Sequence, residues 1–207
     1  MRELVTKLVS YLRHMDRDGP ERDGQRARNV RRIQLLERFI VPGGTAAELG
    51  VHKGYFSHSL LRHLAPKKLY LIDPWYLQGT KWSWGEGNRR VVDALCRIMR
   101  ELEDDLASGK LVLCIADDIV ALNQFPDRHF DWVYLDTTHQ YNHTKYELCL
   151  LKQKVRSGGI IAGDDWQVDP SHRHHGVCRA VREFVAAQHG SLLHADADSM
   201  QWIVKLK

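Results

Sequence analysis

Seven carboxylates stand where apolar runs stop: Glu48 in TAAEL (45–49), Asp73 closing KKLYLID, Asp117 and Asp118 after KLVLCIA, Asp136 closing FDWVYLD, and Asp164 and Asp165 ending GGIIAGDD. Any one of them could cap a following helix, because Asp accepts hydrogen bonds from free backbone N–H groups there. Acids after all five runs are a pattern that capping alone does not explain. Grouped at one edge, such carboxylates suit hydroxyls, amines, cations or a metal, and oppose a ligand carrying several phosphates.

The elements that would bring these acids together follow from periodicity. The apolar runs at 45–49, 67–73, 110–117, 130–136 and 158–165, with a last candidate at 200–206, read as strands. Between them YFSHSLLRHL, NRRVVDALCRIMRELEDDL, TKYELCLLKQKV and VCRAVREFVAAQ carry helical spacing. Strands separated by helical crossovers predict an α/β, doubly wound, Rossmann-like and mostly parallel sheet, in which ligands sit outside the carboxyl ends of the strands. LVTKLVSYL and RRIQLLERFI add helices before the first strand, a cap or dimer element. The expected organisation is one domain over 1–207, with a helical arm at 1–40 and a core at 41–207.

The first strand runs into Glu48-Leu-Gly-Val-His-Lys-Gly54, a glycine-spaced turn without the third glycine of the dinucleotide fingerprint. Gly50 allows a tight turn, and Gly54 removes a side chain where a ligand or the first helix approaches. Asp73 closes the second strand, where a carboxylate can accept both hydroxyls of a ribose. Together they favour adenosine.

In these residues the chain resembles the class I methyltransferases that use S-adenosylmethionine. The resemblance implies that Glu48, Gly50 and Gly54 line the methionine end of the cofactor and Asp73 the ribose. It puts Asp117, or alternatively Asp118, at the adenine edge. The segment 131–166, DWVYLDTTHQYNHTKYELCLLKQKVRSGGIIAGDDW, resembles the metal-dependent sugar O-methyltransferases of the macrocin type. It implies magnesium held by Asp136, Asp164 and Asp165, and a sugar hydroxyl as acceptor, O1 of a 3-O-methylmannoside being a candidate. Thr137 stands where that family often has glycine.

Elementary chemistry supports the metal: three carboxylates from strand ends form an oxygen-rich set suited to a hard cation, magnesium or manganese. A sugar hydroxyl is a poor nucleophile and gains from a general base. His139, three residues after Asp136, is the candidate, with His143 its neighbour and competitor. QGTKWSWGEGNRR (78–90) has the composition of an aromatic lid, and DPSHRHHGVCR (169–179), with His172, His174 and His175, that of a substrate loop rather than a zinc site.

Bulk properties narrow the setting. A chain of 207 residues, 43% hydrophobic and 27% charged, has the composition of a globular domain. Its net charge of +4 is modest, and the basic stretch 13–32 is interleaved with acids, reading as a solvated arm or lid rather than a nucleic-acid stripe. Four scattered cysteines suggest no disulfide framework, and no apolar run suits a membrane span or a secretory leader, so a cytoplasmic enzyme is expected. The expected partner is a small polyhydroxylated acceptor, with no nucleic acid, no membrane and a homodimer possible. The alternatives are a methyltransferase of RNA or of another small molecule, and a nonenzymatic nucleoside-binding regulatory subunit.

Overall fold

The computed structural model describes residues 19–75 and 89–207. Helix α1 (Gly19–Leu36) precedes strand β1 (Thr45–Leu49), and α2 (Tyr55–Ser59) continues into a π-helical turn at Leu60–Leu64. Next come β2 (Lys68–Ile72), α3 (Arg89–Glu101), α4 (Glu103–Ala107), β3 (Leu111–Cys114), α5 (Asp118–Gln124) and β4 (Phe130–Leu135). The chain closes with α6 (Tyr141–Lys154), β5 (Val155–Gly163), α7 (His175–Ala186), β6 (Gly190–Asp196) and β7 (Gln201–Leu206).

The strands form one seven-stranded sheet in the order β3-β2-β1-β4-β5-β7-β6. The first five are parallel, as crossover helices require, and β7 is antiparallel to both β5 and β6. The order reverses between β1 and β4, which makes their carboxyl ends the topological switch point where such sheets bind ligands. Both faces are covered. One core joins Ile33 and Leu36 of α1 to Phe56, Leu60, Leu95, Ile98 and Tyr134; the other joins Leu122, Leu148, Leu151, Val181 and Phe184 to Val133 and Trp202. No helix among the described residues is long and apolar enough to cross a membrane.

Differences from the periodic reading have local causes. The helix expected over 88–106 breaks at Leu102, whose backbone leaves helical geometry. The helix foreseen at 31–40 instead runs from Gly19 to Leu36, so the mixed-charge stretch before it is largely helical. GSLLHAD, with no clean alternation, still forms β6 because β7 offers it a free edge. The proposed lid at 78–90 lies mostly outside the described residues, as does LVTKLVSYL.

Candidate active site

Register places the acids. Cys114, Ile72, Leu49, Leu135 and Gly163 lie side by side across the sheet, so five parallel strands end at one level. The next residues after β2, β4 and β5 are therefore Asp73, Asp136 and Asp164, while β1 is followed by Gly50. Backbone bonds continue the ladder beyond the strands: Gly50 N donates to Ile72 O, Asp136 N to Leu49 O and Asp164 N to Leu135 O.

Gly50 has φ +81°, and a Cβ there would lie 1.9 Å from the carbonyl oxygen of Asp136. The close approach is thus to the neighbouring strand end. Gly54, at φ +73°, caps α2, and its missing side chain leaves space for Ile98 of α3. Asp73 organises the same turn: Oδ2 accepts from the backbone N–H groups of Val51 and His52 at 2.9 and 2.8 Å, and Oδ1 from that of Trp75 at 2.6 Å. Glu48 is buried on the other side, accepting from Ser57 Oγ at 2.5 Å. Burial drives its pKa up to about 8, further raised by Asp136 and opposed by Ser57 and Arg32.

Asp136, Asp164 and Asp165 converge, one oxygen from each lying within 4.8 Å of the others. They do not leave the edge anionic, however. Arg28 and Arg32 of α1 both pair with Asp164 Oδ2, and Arg32 also lies 3.4 Å from Asp136. Gln201 donates to the other Asp164 oxygen at 2.5 Å. Arg32, 3% exposed in its side chain, is clamped over the rings of Phe56 and Tyr134 at 5.4 and 6.0 Å, whereas Arg28 is 34% exposed. Asp165 lies between two imidazoles: His139 Nδ1 at 3.0 Å and His174 Nδ1 at 2.6 Å. Arg28, Arg32 and His139 therefore offset the negative charge that Asp136, Asp164 and Asp165 bring to this edge.

His139 spans Asp165 and Asp136, its Nε2 lying 3.4 Å from the latter. Burial disfavours its charge, but the two flanking carboxylates prevail and raise its pKa to about 9. Asp165 is correspondingly held at about 2, its burial outweighed by His139 and His174. Burial lowers the pKa of His174, so His139 carries the charge. Both His139 and Asp165 have left-handed backbones, with φ +60° and +64°. Non-glycine residues hold such conformations where the surroundings impose them, commonly at functional sites.

These groups surround a cavity of about 490 Å³ whose walls include Glu48, Gly50–Lys53, Asp136, His139, Asp164, Asp165 and the 172–174 loop. Gly54, Asp73, Asp117 and Asp118 do not line it. Asp117 caps α5, its Oδ1 accepting from Ile119 and Val120. Asp118 turns to His143 on α6, 2.8 Å away. Within the histidine loop, only His174 reaches the acids; His175 Nδ1 meets Gln167 O at 3.0 Å. Sequence reasoning missed Arg28 and Arg32, yet Gln25, Arg28 and Arg32 have the i, i+3, i+7 spacing of one helix face, and all three line the cavity.

A model of the methyltransferase domain family matches residues 47–166, from the middle of β1 past the paired acids. The chain belongs to that family and is a class I, S-adenosylmethionine-dependent methyltransferase. Among solved structures, a protein from Corynebacterium glutamicum is similar with a TM-score of 0.63 at 13% identity, covering 96% of this chain and 97% of that one. The N-methyltransferase NodS from Bradyrhizobium japonicum matches at 0.54 and 14% identity, over 91% and 97% of the two chains. A Streptococcus mutans protein in complex with SAH matches at 0.53 and 16% identity, over 84% and 96%. No curated protein sequence gives a significant match.

Proposed function

We propose that this methyltransferase acts on a hydroxyl of a sugar or related polyhydroxylated small molecule, assisted by magnesium or manganese. The carrying observation is the convergence of Asp136, Asp164 and Asp165 beside His139 on one wall of the cavity. An all-oxygen set at that spacing fits a hard cation, and Arg28, the more exposed of the two guanidiniums on Asp164, is the side chain that would give way. When bound, such a cation would polarise the acceptor hydroxyl.

The chain's own groups supply the rest. Glu48 and the Gly50–Lys53 backbone would border the methionine end of the cofactor, with Asp73 holding the turn and offering its remaining lone pairs to the ribose. His139 would take the acceptor proton. It can do so once neutralisation of Asp136 and Asp165 lets its own pKa fall. The hydroxyl then attacks the sulfonium methyl, with S-adenosylhomocysteine leaving.

A panel of sugars, led by a 3-O-methylmannoside, tests the reading, with transfer of labelled methyl measured in EDTA and again after magnesium is added. Transfer that stops in EDTA and returns with magnesium supports it. Transfer indifferent to chelator removes the metal from the proposal. Cofactor binding without turnover on any acceptor would favour the regulatory subunit.

A further inference from the structure

Away from the cavity, α5 and α6 bring together another set of ligating side chains. Asp118 opens α5, while His143 and Glu147 stand one turn apart on α6; one ligand atom from each lies within 4.8 Å of the others. His143 Nε2 is 2.8 Å from Asp118 Oδ2 and 3.6 Å from Glu147 Oε1. Thr137 Oγ1 donates to that same Glu147 oxygen at 2.7 Å. The other oxygen, Glu147 Oε2, is buried without a hydrogen-bond partner in a side chain of 0% exposure.

The charges do not balance with protein groups alone. Asp118 and Glu147 bring carboxylate oxygens within 4.8 Å of each other. His143 can offer one positive charge against two buried carboxylates. Two carboxylates buried this close together demand either a proton or a cation between them. A proton on Glu147 would offset one charge. A divalent cation would replace both that proton and the imidazolium proton, and would give Oε2 a partner.

We propose that Asp118, His143 and Glu147 form a site for a divalent transition-metal ion, zinc foremost, that ties α5 to α6. One imidazole and two carboxylates make a mixed nitrogen and oxygen set, which suits zinc better than magnesium. Spacing i, i+4 on α6 points His143 and Glu147 to one side, and Asp118 closes the set from the facing helix. Thr137 plays the orienting part that hydrogen bonds to metal-ligating carboxylates commonly have. His143, 23% exposed, marks the way in from solvent. The ion would secure the loops after β3 and β4 and does not depend on the acceptor or on the cluster at Asp136.

The test uses the full chain stripped with EDTA and titrated calorimetrically with zinc chloride, with manganese and magnesium chlorides as comparison arms. His139, Asp165 and His174 also converge within 4.8 Å and could take zinc, so the parent is compared with His143→Gln, Glu147→Gln and Asp165→Asn. A zinc equivalent that persists in Asp165→Asn but is lost, or weakened tenfold or more, in His143→Gln and Glu147→Gln establishes the site. Cobalt substituted for zinc should give a visible absorption that His143→Gln abolishes. Because His143 is partly exposed, its variant carries the test even if Glu147→Gln does not fold. No zinc binding by the parent, or equal binding by His143→Gln, overturns the proposal and leaves the proton on Glu147 as the balancing charge.

Discussion

Gly50 and Asp136 meet backbone to backbone: the missing Cβ of one leaves room for the carbonyl oxygen of the other, which would otherwise lie 1.9 Å away. The turn beside the proposed cofactor site and the loop bearing the acids are thus a single packed unit. Gly50→Ala must strain a φ of +81° and displace backbone, which cannot swing aside as a side-chain tip can. A loss of about 3 kcal/mol or more is expected, corresponding to roughly 6–12 °C in Tm for a chain of this size. Gly24 is the control, since a Cβ there meets nothing within 4 Å. In mid-helix Gly24→Ala should be neutral or stabilising by up to about 1 kcal/mol. Equal melting temperatures for the two variants would contradict this packing.

Glu48 should make stability fall as pH rises. Its folded pKa of about 8 lies above the ordinary value of 4.5, so between the two the folded chain binds more protons than the unfolded one. Stability is then lost with rising pH, by up to about 1.4 kcal/mol per unit, and the loss levels off above the folded pKa. Glu48→Gln retains an oxygen for Ser57 and removes the titration. Urea unfolding at a series of pH values should give a flatter stability profile for the variant than for the parent.

Asp73 holds three backbone N–H groups, so its removal should be felt before any cofactor is added. Asp73→Ala is expected to lower the Tm of the ligand-free protein and to abolish most of the rise that S-adenosylhomocysteine gives the parent. Asp117→Ala should cost only about 1 kcal/mol, the usual value of a helix cap. If Asp73→Ala melts with the parent, the turn does not depend on that carboxylate.

His139→Ala should lower kcat by about a hundredfold, the range for a general base, while S-adenosylhomocysteine affinity stays near that of the parent. A base acts in its neutral form. Its pKa of about 9 without metal should fall when magnesium neutralises Asp136 and Asp165, so the rate at saturating magnesium should climb with pH to a midpoint below that value. An unchanged limb in the His139 variant would place the base elsewhere.

Much of the fold was legible because crossover helices between apolar runs leave little choice but parallel strands, and the strands that end together carry Asp73, Asp136 and Asp164 at one level. The glycine turn could likewise be read, since only certain backbone conformations let a strand turn sharply into a helix. The partners of the acids could not. Arg28 and Arg32 lie more than a hundred residues from the carboxylates they share, and a mixed-charge helix does not announce which of its cations faces inward. Asp118, His143 and Glu147 were similarly separate until α5 and α6 packed. Local sequence sets where each strand stops and what kind of group stands there. Which charges become neighbours depends on the rotation of each helix against the sheet, fixed by apolar packing over the whole molecule, and that decided how His139, Asp165 and Glu48 titrate.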